Sequence, residues 1–328
     1  MRRSAFIKLN QKRWTEFERL LSNSNPDPDV LADLFIQVTD DLSYSNTQYP
    51  DSDTTRYLNA LASKIHLTIY KNKKEEKSRF KVFWVTELPL IFYKYRKQLL
   101  YSLLIFTISV AIGALSAAND STFVRLILGD SYVDMTLNNI ESGEPMGVYG
   151  EQSSGNMFFT ITFNNILVSF IAFVWGGFLG SFPMFILLSF GTGIILFRNG
   201  VMLGAFQYFF VQHNLFTESF LTVWIHGTIE ISSIIIAGAA GIIAGNSILF
   251  PGTYSRMTSF KRGFKDGTKI LIGLIPMFVI AGFLESYVTR LYDMPNLLKL
   301  TIILLSFAGM LWYVVLYPIK INKKNELH

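Results

Sequence analysis

The sequence predicts an all-α membrane protein: a polytopic bundle of about six transmembrane helices preceded by a small cytoplasmic helical bundle. Half of its 328 residues are hydrophobic and 16% are charged, whereas soluble domains carry about 25% charged residues. The charges are also unevenly distributed. Residues 1–97 hold 17 of the 29 Lys and Arg residues, while residues 157–250 hold one basic and two acidic residues. We therefore expect a membrane domain behind a soluble front end.

The front end, residues 1–79, is predicted to be a cytoplasmic helical domain. Hydrophobic residues recur there every three or four positions, which places them on one face of each of three helices. The sequence Asp27-Pro28-Asp29 is typical of a helix start, and Tyr49-Pro50 separates the second helix from the third. Three apolar faces can bury one another in a small bundle. The predicted faces are Phe6, Trp14, Phe17 and Leu21; Leu31, Leu34, Phe35, Val38 and Leu42; and Leu58, Leu61, Ile65 and Ile69.

Residues 80–97 are predicted to be an interfacial amphipathic segment, because aromatic residues are followed there by a basic end. Residues 98–317 form the predicted transmembrane domain, and residues 318–328 form a basic cytoplasmic tail. The third span carries Arg198-Asn199-Gly200 in its middle. It is therefore either one long helix or a broken or re-entrant pair, and the sequence leaves both open. The spans lie near 98–117, 161–180, 183–210, 228–250, 269–287 and 297–317, with a tight turn at Gly180-Ser181-Phe182-Pro183.

The orientation follows from the charges of the loops. The segment 118–156 has six acidic residues and one basic residue, which predicts an external loop. Its Gly and Pro residues suggest turns more than long helices. The segment 255–269 has five basic residues and one acidic residue and is predicted to be internal. The first residues lack the apolar run of a signal peptide, so both termini are expected in the cytoplasm. The net charge is +5. The basic residues that produce it flank the apolar spans, so we expect no nucleic-acid partner.

Polar residues inside the spans are candidates for a functional site, because ionisable groups are costly there. His226 and Glu230 are four residues apart and share one helix face. They are either a proton-responsive pair or ion site, or a packing pair in which Glu230 bonds to a neighbouring helix. Arg198 is either their counter-charge or a residue that reaches the interface. The side-chain amides of Asn164 and Asn165 either line a polar cavity with Asn199 or cap the helix. The predicted intramembrane polar cluster is Glu230, His226, Arg198, Asn199, Asn164 and Asn165.

Small residues recur at four-residue spacing, which lets helix backbones approach closely in lipid. They lie either at contacts between helices of the same chain or at a dimer interface, so the sequence leaves open whether the protein forms a homo-oligomer. The predicted packing and hinge residues are Gly176, Gly180, Gly200, Gly204, Gly227, Gly241, Gly245, Pro251 and Gly252.

Enzyme motifs are missing from the sequence. There is no cysteine, which excludes a disulfide scaffold, a thiol nucleophile and a thiolate metal site. The chain has no phosphate-binding loop, no His-Glu-x-x-His and no Gly-x-Ser-x-Gly elbow. The four histidines are dispersed along the chain. We therefore expect no catalytic residue, no metal and no cofactor.

Several stretches together resemble the stage II sporulation protein M family. They are FIKLNQKRWTEFERLL, DLSYSNTQYP, YLNALASKIHLTIY, NNILVSFIAFVWGG, FRNGVMLGAF and WIHGTIEISSIIIAGAAGIIAGNSILFPGTYSR. The resemblance runs from about residue 5 to about residue 285. It implies an all-helical, multi-pass protein of the bacterial cytoplasmic membrane with no established catalytic activity. The family's namesake anchors two peptidoglycan-degrading partners at the septum.

Of three candidate functions, an intramembrane enzyme ranks last, because it needs a nucleophile or metal set that the sequence lacks. Two functions lead. The first is a membrane scaffold that is not an enzyme and recruits envelope partners, including cell-wall remodelling enzymes, through the loop 118–156 and the helices of 1–70. The second is a channel, transporter or transporter subunit with a polar site around Glu230, His226 and Arg198. The lipid bilayer is the one partner common to both.

Overall fold

The structure is a computed structural model that describes residues 1–21, 28–71, 79–120, 122–147, 153–177, 186–291 and 294–325. Within these ranges the chain forms helices and turns and no strand, which confirms the all-α prediction. The chain divides into two compact units, Met1–Arg79 and Phe80–His328.

The N-terminal unit contains the three predicted amphipathic helices, α1 (Arg3–Leu21), α2 (Pro28–Gln48) and α3 (Asp53–Lys71). Their apolar faces form one buried core. The Trp14 indole Nε1 donates a hydrogen bond of 2.8 Å to Asp41 Oδ2, so the polar end of this buried ring is satisfied. The predicted turn residue Asp27 and the side chains of Ile65 and Ile69 lie outside the described residues. The core residues are Phe6, Trp14, Phe17, Val38, Leu58 and Leu61.

The second unit contains α-helices with three short π-helical segments between them. In chain order they are α4 (Arg79–Val82), π1 (Phe83–Glu87), α5 (Leu88–Lys94), α6 (Arg96–Asn119), α7 (Phe123–Leu128), α8 (Asp130–Glu141), α9 (Ser154–Gly177), α10 (Ile186–Gln212), α11 (Phe216–Leu249), α12 (Arg256–Phe283), π2 (Leu284–Val288), α13 (Asn296–Leu311), π3 (Trp312–Leu316) and α14 (Tyr317–Asn325).

Six helical stretches of the described chain are long and apolar enough to cross a membrane, which confirms the predicted number of spans. They are Arg96–Asn119, Ser154–Val174, Gly191–Gln212, Phe216–Leu249, Arg256–Val288 and Asn296–Lys323.

Helix α10 runs without interruption from Ile186 to Gln212, through Arg198-Asn199-Gly200. The open question about the third span is thereby answered for these residues: they form one helix. The Asn199 amide Nδ2 donates to the Ile195 carbonyl of the same helix at 2.8 Å, so it needs no partner outside the helix. The predicted turn from Gly180 to Pro183 lies outside the described residues.

Helix α11 is the centre of the membrane unit, because it contacts α6, α9, α10, α12 and α13. Its small residues allow these close contacts. An added Cβ on Gly241 would lie 2.3 Å from Thr192 Oγ1 and 2.9 Å from the Ala172 carbonyl oxygen. Gly200 and Gly204 of α10 face α6 in the same way, with a Cβ on Gly204 only 2.1 Å from the Val110 carbonyl oxygen. Gly200, Gly204 and Gly241 therefore lie at contacts between helices of one chain.

The segment between the first two spans forms two helices, α7 and α8, so the expectation of turns is wrong for residues 123–141. Val133 of α8 is buried in a cluster with Phe209 and Phe210 of α10. Apolar residues of α8 at three- and four-residue spacing produce this contact, and the frequent acidic residues obscure the pattern in the sequence. A turn follows at Gly143, where φ is +79°.

Candidate functional site

The candidate site begins with the pair His226 and Glu230, which lie one helical turn apart on α11. His226 is buried, with 4% of its surface exposed. The structure adds Glu285 of π2, whose Oε1 lies 3.8 Å from His226 Nε2. One potential ligand atom from each of the three side chains lies within 4.8 Å of the other two. We refer to these three residues as the His–Glu–Glu cluster.

The π-helical turn of π2 places Glu285 beside α11. It is marked by the hydrogen bond from the Thr289 amide to the Leu284 carbonyl at 2.8 Å, five residues apart. Such single π turns shift the register of a helix and are frequent at functional sites. The consequence here is that Glu285 and Thr289 both contact the His226 ring, one near each nitrogen.

Thr289 sets the proton position on the His226 ring. Its Oγ1 lies 3.0 Å from His226 Nδ1 and also 3.2 Å from the Leu284 carbonyl oxygen. The hydroxyl has one proton and the carbonyl can only accept, so both contacts are satisfied together when Nδ1–H donates to Oγ1. The other ring nitrogen, Nε2, then presents a lone pair on the side of Glu285.

Helix α9 supplies a polar wall to the site. Thr162, Asn165 and Ser169 are buried on this helix, which packs against α10, α11 and α12. Thr162 lies beside Gly282 of α12. The Asn165 side-chain amide lies near the Glu230 carboxyl group. Within the described residues, its Nδ2 and the hydroxyls of Thr162, Ser169 and Ser286 have no hydrogen-bond partner at normal length. The site therefore holds hydrogen-bonding capacity that the protein's own described groups do not use.

The structure brings together three of the six predicted polar residues: His226, Glu230 and Asn165. Asn164 is exposed and contacts Asn165 Oδ1 from Nδ2 at 3.5 Å. Arg198 is exposed on α10, and it forms no ion pair with any described residue. It lines a groove with Asn199, away from the cluster.

The remaining predicted packing residues have varied surroundings. Gly227, next to His226, would meet only side chains of its own helix if it carried a Cβ. Gly245 is buried in α11. Pro251 and Gly252 lie in the turn after α11, where Gly252 has φ of +62°. Gly176 lies in α9, although its surroundings are outside the described residues, as is Gly180 altogether.

Glu285 and Thr289 were not among the residues predicted from the sequence. Glu285 is an acidic residue near the end of the predicted span 269–287, so the rule that marks Glu230 could have found it. No sequence signal marks Thr289, because hydroxyl residues near the end of a span are common. Its role depends on the π turn.

A bundle of six apolar helical spans around a buried polar cluster is the architecture of a multi-pass integral membrane protein. The family model for stage II sporulation protein M matches residues 102–290, more than half of the chain, and the chain belongs to that family. A second family model, a domain of unknown function (DUF8413), matches residues 4–71. Neither a curated protein nor a solved structure matches the chain. The predicted resemblance is thus confirmed in its membrane portion, while the front helices match a separate domain.

Proposed function

We propose that this protein is a scaffold, without enzymatic activity, in the bacterial cytoplasmic membrane. It holds envelope proteins, cell-wall remodelling enzymes among them, on the outer face of the membrane and further partners on the inner face. Both termini lie in the cytoplasm and residues 118–156 lie outside, in accord with the loop charges. Membership of the stage II sporulation protein M family supports this assignment.

The observation that carries the proposal is the folded acidic segment 122–147, which we name the acidic platform. Its buried residues Val124, Val133 and Met146 pack in one cluster with Phe209 and Phe210 of α10. A platform fixed in this way can bind a partner with little ordering cost, unlike a disordered loop.

The surface of the acidic platform is negatively charged. Arg125 forms ion pairs with Asp130 at 3.1 Å and with Asp134 at 2.8 Å. Glu141 and Glu144 are exposed and form no ion pair with the described residues. Their uncompensated charges favour a partner with a basic surface, because charge complementarity guides association and fixes the bound orientation.

The N-terminal unit supplies the second proposed surface. It has its own core, and it exposes several large aliphatic side chains, among them Leu9 with 73% and Ile36 with 59% of its surface accessible. Because it is a folded unit with its own core, it is suited to bind a partner on the inner side of the membrane.

The channel or transporter alternative has weaker support. Arg198 lies on α10 away from Glu230, and α10 is unbroken where a discontinuous helix would form a transport site.

Neutralising the platform is expected to weaken binding of outer-face partners. In the double variant Glu141→Gln/Glu144→Gln, we expect recovery of these partners to fall about fivefold, because losing two exposed charge contacts costs about 1 kcal/mol. The full-length protein, carrying an affinity tag, is purified from native membranes in mild detergent, and its companions are quantified by mass spectrometry.

The matched control is Glu218→Gln, which removes one exposed carboxylate from α11 outside the platform. It should recover the same partners as the wild type. Undiminished recovery with both the double variant and a deletion of 121–153 would reject the platform as the binding surface. Wild-type protein recovered without any stoichiometric companion would count against the scaffold itself.

A further inference from the structure

We propose that the His–Glu–Glu cluster binds one divalent first-row transition metal ion, such as zinc, and that this ion joins α11 to π2. This departs from the sequence-based expectation of no metal, which considered the histidines without Glu285. It also goes beyond the scaffold proposal and does not depend on it.

The first support is the ligand set. One His226 ring nitrogen, a Glu230 carboxylate oxygen and a Glu285 carboxylate oxygen converge within 4.8 Å of one another from two helical elements. A zinc ion bound at about 2.0–2.2 Å from each ligand requires these atoms to be somewhat closer. Both glutamates have flexible side chains, and Glu285 Oε1 is already 3.8 Å from Nε2.

The second support is the protonation of His226. With Nδ1–H donating to Thr289 Oγ1, the lone pair of Nε2 lies on the same side as the Glu285 carboxylate. A cation between the two groups would bind both of these electron-pair donors at once. An imidazole whose second nitrogen is held by a hydrogen bond is the usual arrangement for a histidine metal ligand.

The third support is the charge balance. Among the described residues, neither Glu230 nor Glu285 forms an ion pair with a lysine or arginine. Two carboxylates buried together among helices are costly unless a positive charge compensates them or they take up a proton. One divalent ion supplies two positive charges and makes the cluster neutral.

The fourth support comes from the surroundings of the cluster. Asn165 is 8% exposed and lies near Glu230, and its buried Nδ2 has no hydrogen-bond partner at normal length among the described residues. A donor in this position can hold the carboxylate oxygen of Glu230 that does not bind the ion. Such supporting contacts typically change metal affinity by about 10–100-fold.

The donor atoms select the class of ion. One imidazole nitrogen and two carboxylate oxygens suit zinc, manganese or iron, whereas magnesium and calcium favour sites built of oxygen alone. Zinc is the practical probe, and cobalt(II) is its spectroscopic substitute.

The test uses full-length protein in detergent, purified on a tag without histidine, stripped with a chelator and then supplied with zinc alone. We expect one zinc ion per chain by elemental analysis after gel filtration and a higher melting temperature with zinc than without. Cobalt(II) should give visible absorption bands typical of a bound ion. Glu285→Gln and His226→Gln should each reduce zinc affinity at least tenfold, and Thr289→Val should reduce it about tenfold through the orientation of His226.

Two variants serve as matched controls. Glu218→Gln removes an exposed carboxylate from the same helix, and His213→Gln removes a partly buried histidine whose Nδ1 contacts the Phe209 carbonyl oxygen. Both should bind zinc as the wild type does. The proposal is overturned if stripped wild-type protein takes up no stoichiometric zinc and gives no cobalt bands, which means that the cluster shares a proton only. It is also overturned if folded Glu285→Gln binds zinc like the wild type. Should that variant fail to fold, the wild-type stoichiometry, the cobalt spectrum and Thr289→Val still decide the question.

Discussion

We expect Phe17→Ala to lower the free energy of unfolding of the N-terminal unit by about 3–5 kcal/mol, the usual cost of removing a buried phenylalanine side chain. Phe17 has no exposed surface and packs with its ring 6.4 Å from that of Phe35. A three-helix unit of this size has few core residues, so this loss is comparable with its whole stability.

The measurement is limited proteolysis of the full-length protein in detergent, which follows the population of the opened N-terminal unit. Cleavage within residues 1–79 should accelerate by about two to four orders of magnitude, since it tracks the opening free energy when closing is fast. Leu9→Ala is the control on the same helix, because Leu9 is exposed and its loss should change stability by about 0.5 kcal/mol or less. Equal cleavage rates for the two variants would contradict the core described for this unit.

Gly204→Ala is expected to destabilise the membrane unit by about 2–3 kcal/mol, in the range found for overpacking of a tight core. The new Cβ would lie 2.1 Å from the Val110 carbonyl oxygen and 2.7 Å from the Ala114 amide nitrogen. Both are backbone atoms of α6, which cannot move away by a change of rotamer. Helices α6 and α10 must therefore separate. A fall in melting temperature of roughly 5–10 °C in detergent would follow.

Gly193→Ala provides the comparison on the same helix, since a Cβ there has no neighbour within 4 Å. It should leave the melting temperature unchanged or raise it, because alanine favours a helix by about 1 kcal/mol over glycine. If Gly204→Ala is as stable as Gly193→Ala, then α6 and α10 do not cross as closely as the structure places them.

Composition and periodicity are sufficient to predict the three N-terminal helices and the number of spans. A span is recognised from a run of about twenty apolar residues, and an amphipathic helix from hydrophobic residues spaced three or four positions apart. Neither pattern requires knowledge of the helices that pack beside it. The α7–α8 segment was missed because Val133, Leu137 and Ile140 are interspersed with acidic and hydroxyl residues. Their shared face becomes visible only once Phe209 and Phe210 are known to cover it.

The candidate site could be predicted only in part. The spacing of His226 and Glu230 places them on one face, because both belong to one helix. The sequence also offers Arg198 as their counter-charge. However, sequence spacing within α10 does not reveal which side of that helix faces α11. Glu285 and Thr289 depend on a π turn, which has no compositional signature.

The burial of α11 has a consequence for how the protein responds to its lipids. In its apolar window 78% of the residues are inside the protein, against 22% for α6 and 11% for the last span, so the rim helices meet the acyl chains. Its 34 residues extend for about 51 Å, well beyond a hydrocarbon layer of about 30 Å. We therefore expect thickness mismatch to be taken up by tilt or snorkelling of the rim helices. We expect α11, which carries His226 and Glu230, to keep one geometry in thin and thick bilayers alike.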